Sequence, residues 1–564
     1  MAYQGQASGY YNNQGMGNAP YQQLGGQHYP QQYPPPQGPP QGYQQPYQPS
    51  YQQQPPQQSY PLQDVPPQQP DPKYNQHPPD YGQYTPPQEG KETFQETFKI
   101  QKPKYNDIWA GLLYIAVFCG FVAVSGISLQ RYSRYHSFNG GGIYGSSNDF
   151  SLDTNTIILF VFVLAVGFVV SWAYFLAARA FTKQFVWLTG ILNCVLAVGT
   201  AAYYLYLRLW GAGIVFAIFA IFAILAFISW IPRIPMTVVM LQQTMDVARM
   251  PKIHVFFISL MGGIISLAFG AWFSVTLVAV YTAYMPSDST SNPNPSCASG
   301  GCSSGRVIGL VVFVTFAGYW ITEFTKAVIH TTVAGQYGAW YFCAGKPGGI
   351  PSGSAAGAFR RATTYSFGSL SFGSLIIALI NMLRQACSIA QQSEAADGNM
   401  IGMIMYCVLG CIISMLQWLV EFFNRYAYCH IALYGKAYIA AAKDTWKMMK
   451  DRGWDALAQD CLVGPVVSMG GLFVAYLCAL LSYLYLEYTK PAYNEGRTFT
   501  PVIMAFSFLI GMQICKTFTM PITSGTETIF VALAWDPQVA ITDHPEFWDR
   551  LVHVYPRVQQ MINA

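Results

Sequence analysis

Charge is scarce in this sequence of 564 residues. Asp, Glu, Lys and Arg make up 10% of it, where ordinary globular chains carry about 25%. Hydrophobic residues reach 52% and aromatic ones 16%, and the mean hydropathy is +0.23. That balance excludes a water-soluble enzyme and makes a bilayer the expected solvent. Histidine is sparse too, with eight in all. No HExxH, Walker loop or zinc-type cysteine spacing occurs, so neither an enzyme nor a bound metal or cofactor is expected. His544-Pro-Glu-Phe-Trp-Asp549 has the His-x4-Asp spacing in which an aspartate orients a histidine base, but no phosphate-binding or glycine-rich companion follows it. The basic residues are dispersed instead of forming a patch, which argues against a nucleic-acid partner.

The first 90 residues lack nearly everything a core requires. They hold 24 Gln, 20 Pro and 13 Tyr, no Arg, one lysine (Lys73) and four acids (Asp64, Asp71, Asp80, Glu89). The tail therefore carries −3, and the rest of a chain whose total is +4 carries +7. Such a segment cannot bury enough apolar area to offset chain entropy, which predicts a disordered tail over 1–90 with polyproline II character. Met1 to Pro30 has neither the charged start nor the apolar run of a secretory signal. Pro78-Pro79-Asp80-Tyr81 fits the Pro-Pro-x-Tyr ligand of a WW domain, although a tail so rich in Pro and Tyr also produces such strings by composition. Read functionally, a WW-bearing ubiquitin ligase docked there reaches Lys73 or Lys91.

What the remainder does contain is apolar runs of spanning length. About 20 residues cross roughly 30 Å of hydrocarbon, and ten such runs are found, at 107–128, 155–178, 186–208, 211–231, 255–284, 307–330, 364–386, 401–423, 462–486 and 500–522. Lysines 91, 99, 102 and 104 precede the first, and alternate connections carry Arg179 and Lys183; Arg233, Arg249 and Lys252; Lys346, Arg360 and Arg361; and Arg425, Lys436, Lys443, Lys447, Lys450 and Arg452. Opposite loops are poorer in base and hold Asp149, Asp153, Asp288, Glu394 and Asp397. By the positive-inside rule both termini are expected in the cytoplasm. The expected organisation is a tail (1–90), a juxtamembrane segment (91–106), an all-α ten-span domain (107–522) and a cytoplasmic C-terminal tail (523–564). In the external loop 285–305, Cys297 and Cys302 bracket small residues on the oxidising side. A disulfide is expected there over free thiols, since two thiols alone are a poor metal site. No glycosylation sequon falls in an external loop, because Asn292 and Asn294 precede Pro.

Span seven doubles Ser-Phe-Gly-Ser-Leu over Ser366–Leu375. Gly368, Ser369 and Gly373 are small residues of the kind that let helices approach closely in lipid, so the run reads as a packing seam or as the lining of a substrate path. Glu323 follows Trp320 by three residues and Glu421 follows Trp418 by three, which puts each pair on one helix face. A large, weakly hydrated organic cation is held by aromatic faces with a carboxylate nearby, and Tyr319, Gln417, Asn193 and Gln513 could complete such a cage. Interfacial aromatic belts and snorkelling charges account for the same pairs more plainly.

The doubled Ser-Phe-Gly-Ser-Leu, then Asn424-Arg425-Tyr426-Ala427-Tyr428, Ile431-Ala432-Leu433-Tyr434-Gly435-Lys436 and Ala442-Lys443-Asp444-Thr445-Trp446, resemble the choline-transporter-like family, nearest its fungal pH-nine-sensitive branch, over about residues 100–540. The resemblance implies ten spans, a plasma-membrane or internal-membrane location and transport of a choline- or ethanolamine-like solute. Animal members carry a large glycosylated first external loop, whereas 129–154 is short and lacks a sequon. With no nucleotide motif, secondary transport of a small organic cation is expected. Ten spans would permit two inverted halves, although no internal similarity is visible. The rival is a non-transporting scaffold that presents the tail to cytoplasmic partners. Deleting residues 1–90 separates the two: a transporter keeps its flux per molecule and changes in abundance, measured as uptake normalised to surface protein, whereas a scaffold loses its function outright.

Overall fold

The computed structural model describes residues 104–135, 154–206, 208, 210–284, 286, 297, 302–451, 461–490 and 500–559. The chain divides into two units, 1–80 and 81–564. The first unit, the whole of the 1–90 tail and its Pro78-Pro79-Tyr81 motif lie outside the described residues.

Among the described residues the fold is all-α. The helices are α1 (Ile108–Tyr135), α2 (Thr154–Ala180), α3 (Thr182–Tyr206), α4 (Trp210–Trp230), α5 (Ile234–Ala248), α6 (Val255–Tyr284), α7 (Ser304–Cys343), α8 (Ser354–Thr363), α9 (Phe367–Ala396), α10 (Met400–Tyr434), α11 (Tyr438–Asp451), α12 (Val463–Thr489), α13 (Thr500–Trp535), α14 (Pro537–Asp543) and α15 (Pro545–Val554). Nine spans among the described residues are long and apolar enough to cross a membrane. The tenth long helix is α13, whose 36 residues include Lys516 and a run rich in Thr and Ser. Low charge, length and apolarity thus make this a multi-pass membrane protein.

Helices α7, α10 and α13 contain 40, 35 and 36 residues. At 1.5 Å per residue each runs roughly 52–60 Å, nearly twice the hydrocarbon thickness. Their excess length gathers at the pole where α1 begins, the basic pole, so named because Arg233, Arg249, Lys252, Lys346, Arg360 and Arg361 surround it. Every residue from Ala327 to Cys343 of α7 is buried there, as is nearly all of Asn424–Leu433 and Ile522–Ala534. The largest apolar cluster packs these ends with α5, α14 and α15, using Trp340, Tyr341, Phe530, Phe547, Trp548 and Leu551. By contrast Leu112, Ile115, Val161, Ile218, Phe222, Ile404 and Met405, on the lipid-depth parts of their helices, are exposed, as side chains facing acyl chains must be. Helix α13 runs straight through the boundary expected at residue 522. The segment beyond α13 is not a loose tail, since α14 and α15 are docked by Tyr341 Oη donating to the Asp536 carbonyl at 2.8 Å and by Arg550 Nη2 donating to Gln243 Oε1 at 3.0 Å.

At the opposite pole Cys297 and Cys302 are joined by a disulfide, with Cα atoms 5.5 Å apart. Arg131 of α1 reaches the Cys302 sulfur at 3.8 Å and lies over the Tyr284 ring at 4.7 Å, so the bridge is anchored to the ends of α1 and α6.

The doubled Ser-Phe-Gly-Ser-Leu opens α9 and is buried. Asn106 and Asp107 lie against it: the Asp107 carboxylate accepts from Ser369 Oγ at 2.6 Å and from the Tyr438 amide, the first of α11, at 2.9 Å. Asn106 Nδ2 donates to the Gly435 carbonyl at 3.0 Å. Three elements distant in sequence are therefore tied by one short segment. Asp107 has φ 51, an uncommon backbone state for a residue with a side chain. A Cβ on Gly368 would stand 2.3 Å from the Asp107 carbonyl oxygen and 2.4 Å from that of Asn106, both backbone atoms that cannot rotate aside. Further along, a Cβ on Gly373 would meet Tyr428 Oη at 2.6 Å, and Asn424 Nδ2 donates to the Gly373 carbonyl at 3.0 Å. Gly368→Ala is expected to cost about 1–3 kcal/mol, the usual penalty of overpacking, seen as a lower midpoint in thermal unfolding of detergent-solubilised protein. An unchanged midpoint would show that the joint has slack.

Candidate functional site

Ionisable side chains converge where α7, α9, α10 and α13 meet at lipid depth. Lys326 Nζ donates to Glu323 Oε1 at 2.8 Å, both being largely buried. Across from them Gln417 Nε2 donates to Glu421 Oε1 at 2.8 Å, and Arg384 Nη1 donates to Gln417 Oε1 at 3.2 Å. Lys516 of α13 interacts electrostatically with Lys326, Glu421, Glu323 and Arg384 together. Counted along their helices from the disulfide pole, these groups lie roughly 18–33 Å in. A charge at such depth is costly against hydrocarbon, so it faces a partner or a water-filled cavity. Five charged residues from four helices fall within the hydrocarbon span in a chain with so few charges, Glu323, Lys326 and Glu421 partly buried and Arg384 and Lys516 exposed. Each carboxylate already holds an internal N–H donor, so a ligand cation would enter by donor exchange.

A second polar chain continues from this cluster toward the basic pole. Arg425 Nε donates to the Glu421 carbonyl at 3.4 Å, and Arg425 Nη1 pairs with Glu527 Oε1 at 3.0 Å. The other oxygen of Glu527 stands 3.8 Å from His330 Nε2, which is 3.4 Å from Cys429 Sγ; that sulfur in turn lies 3.4 Å from Thr528 Oγ1. Glu527 and His330 are almost wholly buried. The pairing with Arg425 offsets part of the desolvation of Glu527, whose second oxygen has no hydrogen-bond partner among the described residues.

The expected cage residues separate. Glu323 and Glu421 both join the charged cluster, with Gln417 between Glu421 and Arg384. The Trp320 indole is fully buried and donates to the Ser371 carbonyl at 3.1 Å and Ser374 Oγ at 3.2 Å, with Tyr114 and Phe316 against its ring. It therefore joins α7 to the small residues of α9 and leaves the cluster one turn away. Trp418 is 63% exposed on the outer face of α10, stacked on Phe422. Tyr319 is within electrostatic range of Arg384, Gln513 is exposed one turn before Lys516, and Asn193 sits on α3, packed chiefly against α4. His544 bonds through Nε2 to the Tyr341 main-chain oxygen at 2.9 Å and stacks on Trp340. Burial holds its pKa below the ordinary imidazole value, and its ring serves to dock α15, whereas Asp549 is exposed.

Sequence reading missed Lys326, Arg384 and Lys516. A search for basic residues inside the spans would have found them, Lys326 most readily, three residues after Glu323. No such signal exists for Arg425 with Glu527, which are 102 positions apart.

A bundle of lipid-exposed helices in which ionisable groups from four helices approach one another within the hydrocarbon span is compatible with a polytopic transporter. The comparisons make that class specific. A family model described as plasma-membrane choline transporter matches residues 214–538. Protein pns1 of Aspergillus fumigatus is 59% identical over 469 residues, 83% of this chain and 87% of that one. Protein PNS1 of Gibberella zeae is 55% identical over 472 residues, covering 84% and 86%, and Protein PNS1 of Saccharomyces cerevisiae is 38% identical over 477, covering 84% and 88%. The chain belongs to the choline-transporter-like family, in its fungal PNS1 branch.

Replacing Arg425 with Gln strands a buried carboxylate. The expected loss is about 3 kcal/mol, the lower end for a broken buried pair because Arg425 itself is partly exposed. Adding Glu527→Gln is expected to restore most of it in a thermal-unfolding cycle. Additive losses would mean that the two side chains do not couple.

Proposed function

We propose that the protein carries a small organic cation of the choline or ethanolamine kind across the plasma membrane by a secondary, alternating-access mechanism, with both chain ends in the cytoplasm. The observation that carries this reading is the cluster of Glu323, Lys326, Arg384, Glu421 and Lys516 at lipid depth. Family membership supports transport, and the concentration of Lys and Arg at one pole supports the orientation.

Glu323 and Glu421 supply the negative charge that a permeant ammonium requires. Lys326 and Gln417 hold them when no ligand does, so an arriving cation takes a carboxylate from an internal donor; at Glu421 that donor is the neutral Gln417, whose release leaves no ammonium without its partner. Three basic neighbours against two carboxylates keep the resting site from retaining a metal cation. Trp320 bears on the site through packing, since its ring and N–H fix the approach of α7 to α9. Trp418, on the outer face, has no part in it.

Glu323→Gln keeps the shape of the side chain and removes its charge. Uptake of labelled choline or ethanolamine into proteoliposomes is expected to fall by at least tenfold, with the amount of folded protein unchanged. Undiminished uptake would remove Glu323 from the pathway. Absence of uptake by the wild-type protein for both solutes would overturn the substrate class.

A further inference from the structure

A second arrangement of cation-binding chemistry lies at the basic pole, outside the charged cluster. Helix α10 ends at Gly435, whose φ of 63 turns the chain and folds Lys436 back over its own helix end. Lys436 Nζ stands 5.4 Å from the centroid of Tyr434 and 5.2 Å from that of Trp535, and its remaining side is taken by the carboxylate of Asp444. His430 completes the enclosure, with its ring 6.0 Å from Tyr434 and 5.8 Å from Trp535, perpendicular to the latter. This histidine is fully buried, and neither of its ring nitrogens has a hydrogen-bond partner among the described residues.

Two aromatic faces with a carboxylate opposite are the groups that hold a quaternary ammonium. A lysine ammonium is compact and strongly hydrated, so it gains less from such an enclosure than a bulkier, weakly hydrated cation does. The Lys436 side chain is 34% exposed and can swing outward without unpacking its neighbours. The vacant nitrogens of His430 offer a bond that lysine does not use and that a hydroxyl on the ligand would.

We propose that Tyr434, Trp535, Asp444 and His430 form a binding site for a hydroxylated quaternary ammonium, occupied in this structure by the ammonium of Lys436, which the ligand displaces. Lys436 lies between Gly435, whose carbonyl receives Asn106, and Tyr438, whose amide is capped by Asp107. Displacing it therefore acts on the joint that ties α1, α9 and α11. Ligand at this pole and the packing of those helix ends are coupled through one lysine. The enclosure shares its ligand class with the transport reading but none of its residues.

The test is calorimetric titration of the purified full-length protein in detergent with choline and with tetramethylammonium. Lys436→Gln, and independently Lys436→Met, are expected to bind choline at least tenfold more tightly than the wild type. Adding Trp535→Leu or Tyr434→Leu should abolish the gain, and adding His430→Phe should remove the preference for choline over tetramethylammonium. The gain is expected to survive Glu323→Gln. Unchanged affinity in both lysine variants, or a gain that persists without either aromatic wall, overturns the proposal. Loss of the gain in Glu323→Gln overturns it as well and places the ligand at the α7–α10 cluster, whereas binding at the enclosure without uptake in proteoliposomes sinks only the transport reading.

Discussion

Hydrocarbon offers no hydrogen bonds, so each polar group taken below the membrane surface must find its partner within the protein. In this chain that demand shapes two levels of structure. The backbone meets it by being helical throughout the described spans. The side chains meet it by converging: Glu323 on Lys326, Glu421 on Gln417, Arg425 on Glu527. The first two pairs close within one helix, whereas Arg425 with Glu527 joins α10 to α13 and Arg384 with Gln417 joins α9 to α10, so satisfying these constrains how those three helices stand relative to one another.

The same helices overshoot the bilayer at one pole, and that excess length is where most of the buried apolar side chains sit. Lipid drives no helix together by hydrophobic effect, since acyl chains are as apolar as Leu. Beyond the lipid, water does. A core of Trp340, Tyr341, Phe530 and Trp548 at the ends of long helices therefore supplies a folding force that the membrane-embedded portions lack, and it holds their far ends in register. The joint of Asn106 and Asp107 with α9 and α11 lies at this pole. The helix ends meet there through backbone contacts that leave no free volume at Gly368.

Much of this was legible in the sequence, and the successes share a cause. Runs of about 20 apolar residues, scarce charge and the Cys297 to Cys302 spacing report local properties, as does the small-residue run of Gly368, Ser369 and Gly373. Each can be judged from a window of the chain. That Glu323 and Glu421 stand inside spans was likewise visible from the rule that an acid there is unusual, and the structure adds that both approach Lys516. The tryptophans illustrate where a window stops being enough. Trp320 and Trp418 stand in the same Trp-x-x-Glu string, yet one is wholly buried and the other 63% exposed, because neighbouring helices enclose α7 around Trp320 while α10 presents a face to lipid. The end of α13 was misjudged for a related reason: Thr523–Trp535 contains enough Thr, Ser and Glu to look like the start of a tail, and it is buried because α7 and α10 supply the partners for those groups.

By itself the sequence determined that the chain lives in a bilayer, about where it crosses, and which family it resembles, since hydropathy and motif are properties of consecutive residues. Only the tertiary structure decided which charges meet, that Glu527 belongs with Arg425 and His330, and that Lys436 fills an aromatic enclosure built partly from a residue 99 positions away. Pairing across such separations costs no local propensity and leaves no periodicity. It is set by which helices pack together, and in lipid that packing is itself set by the pairs it completes.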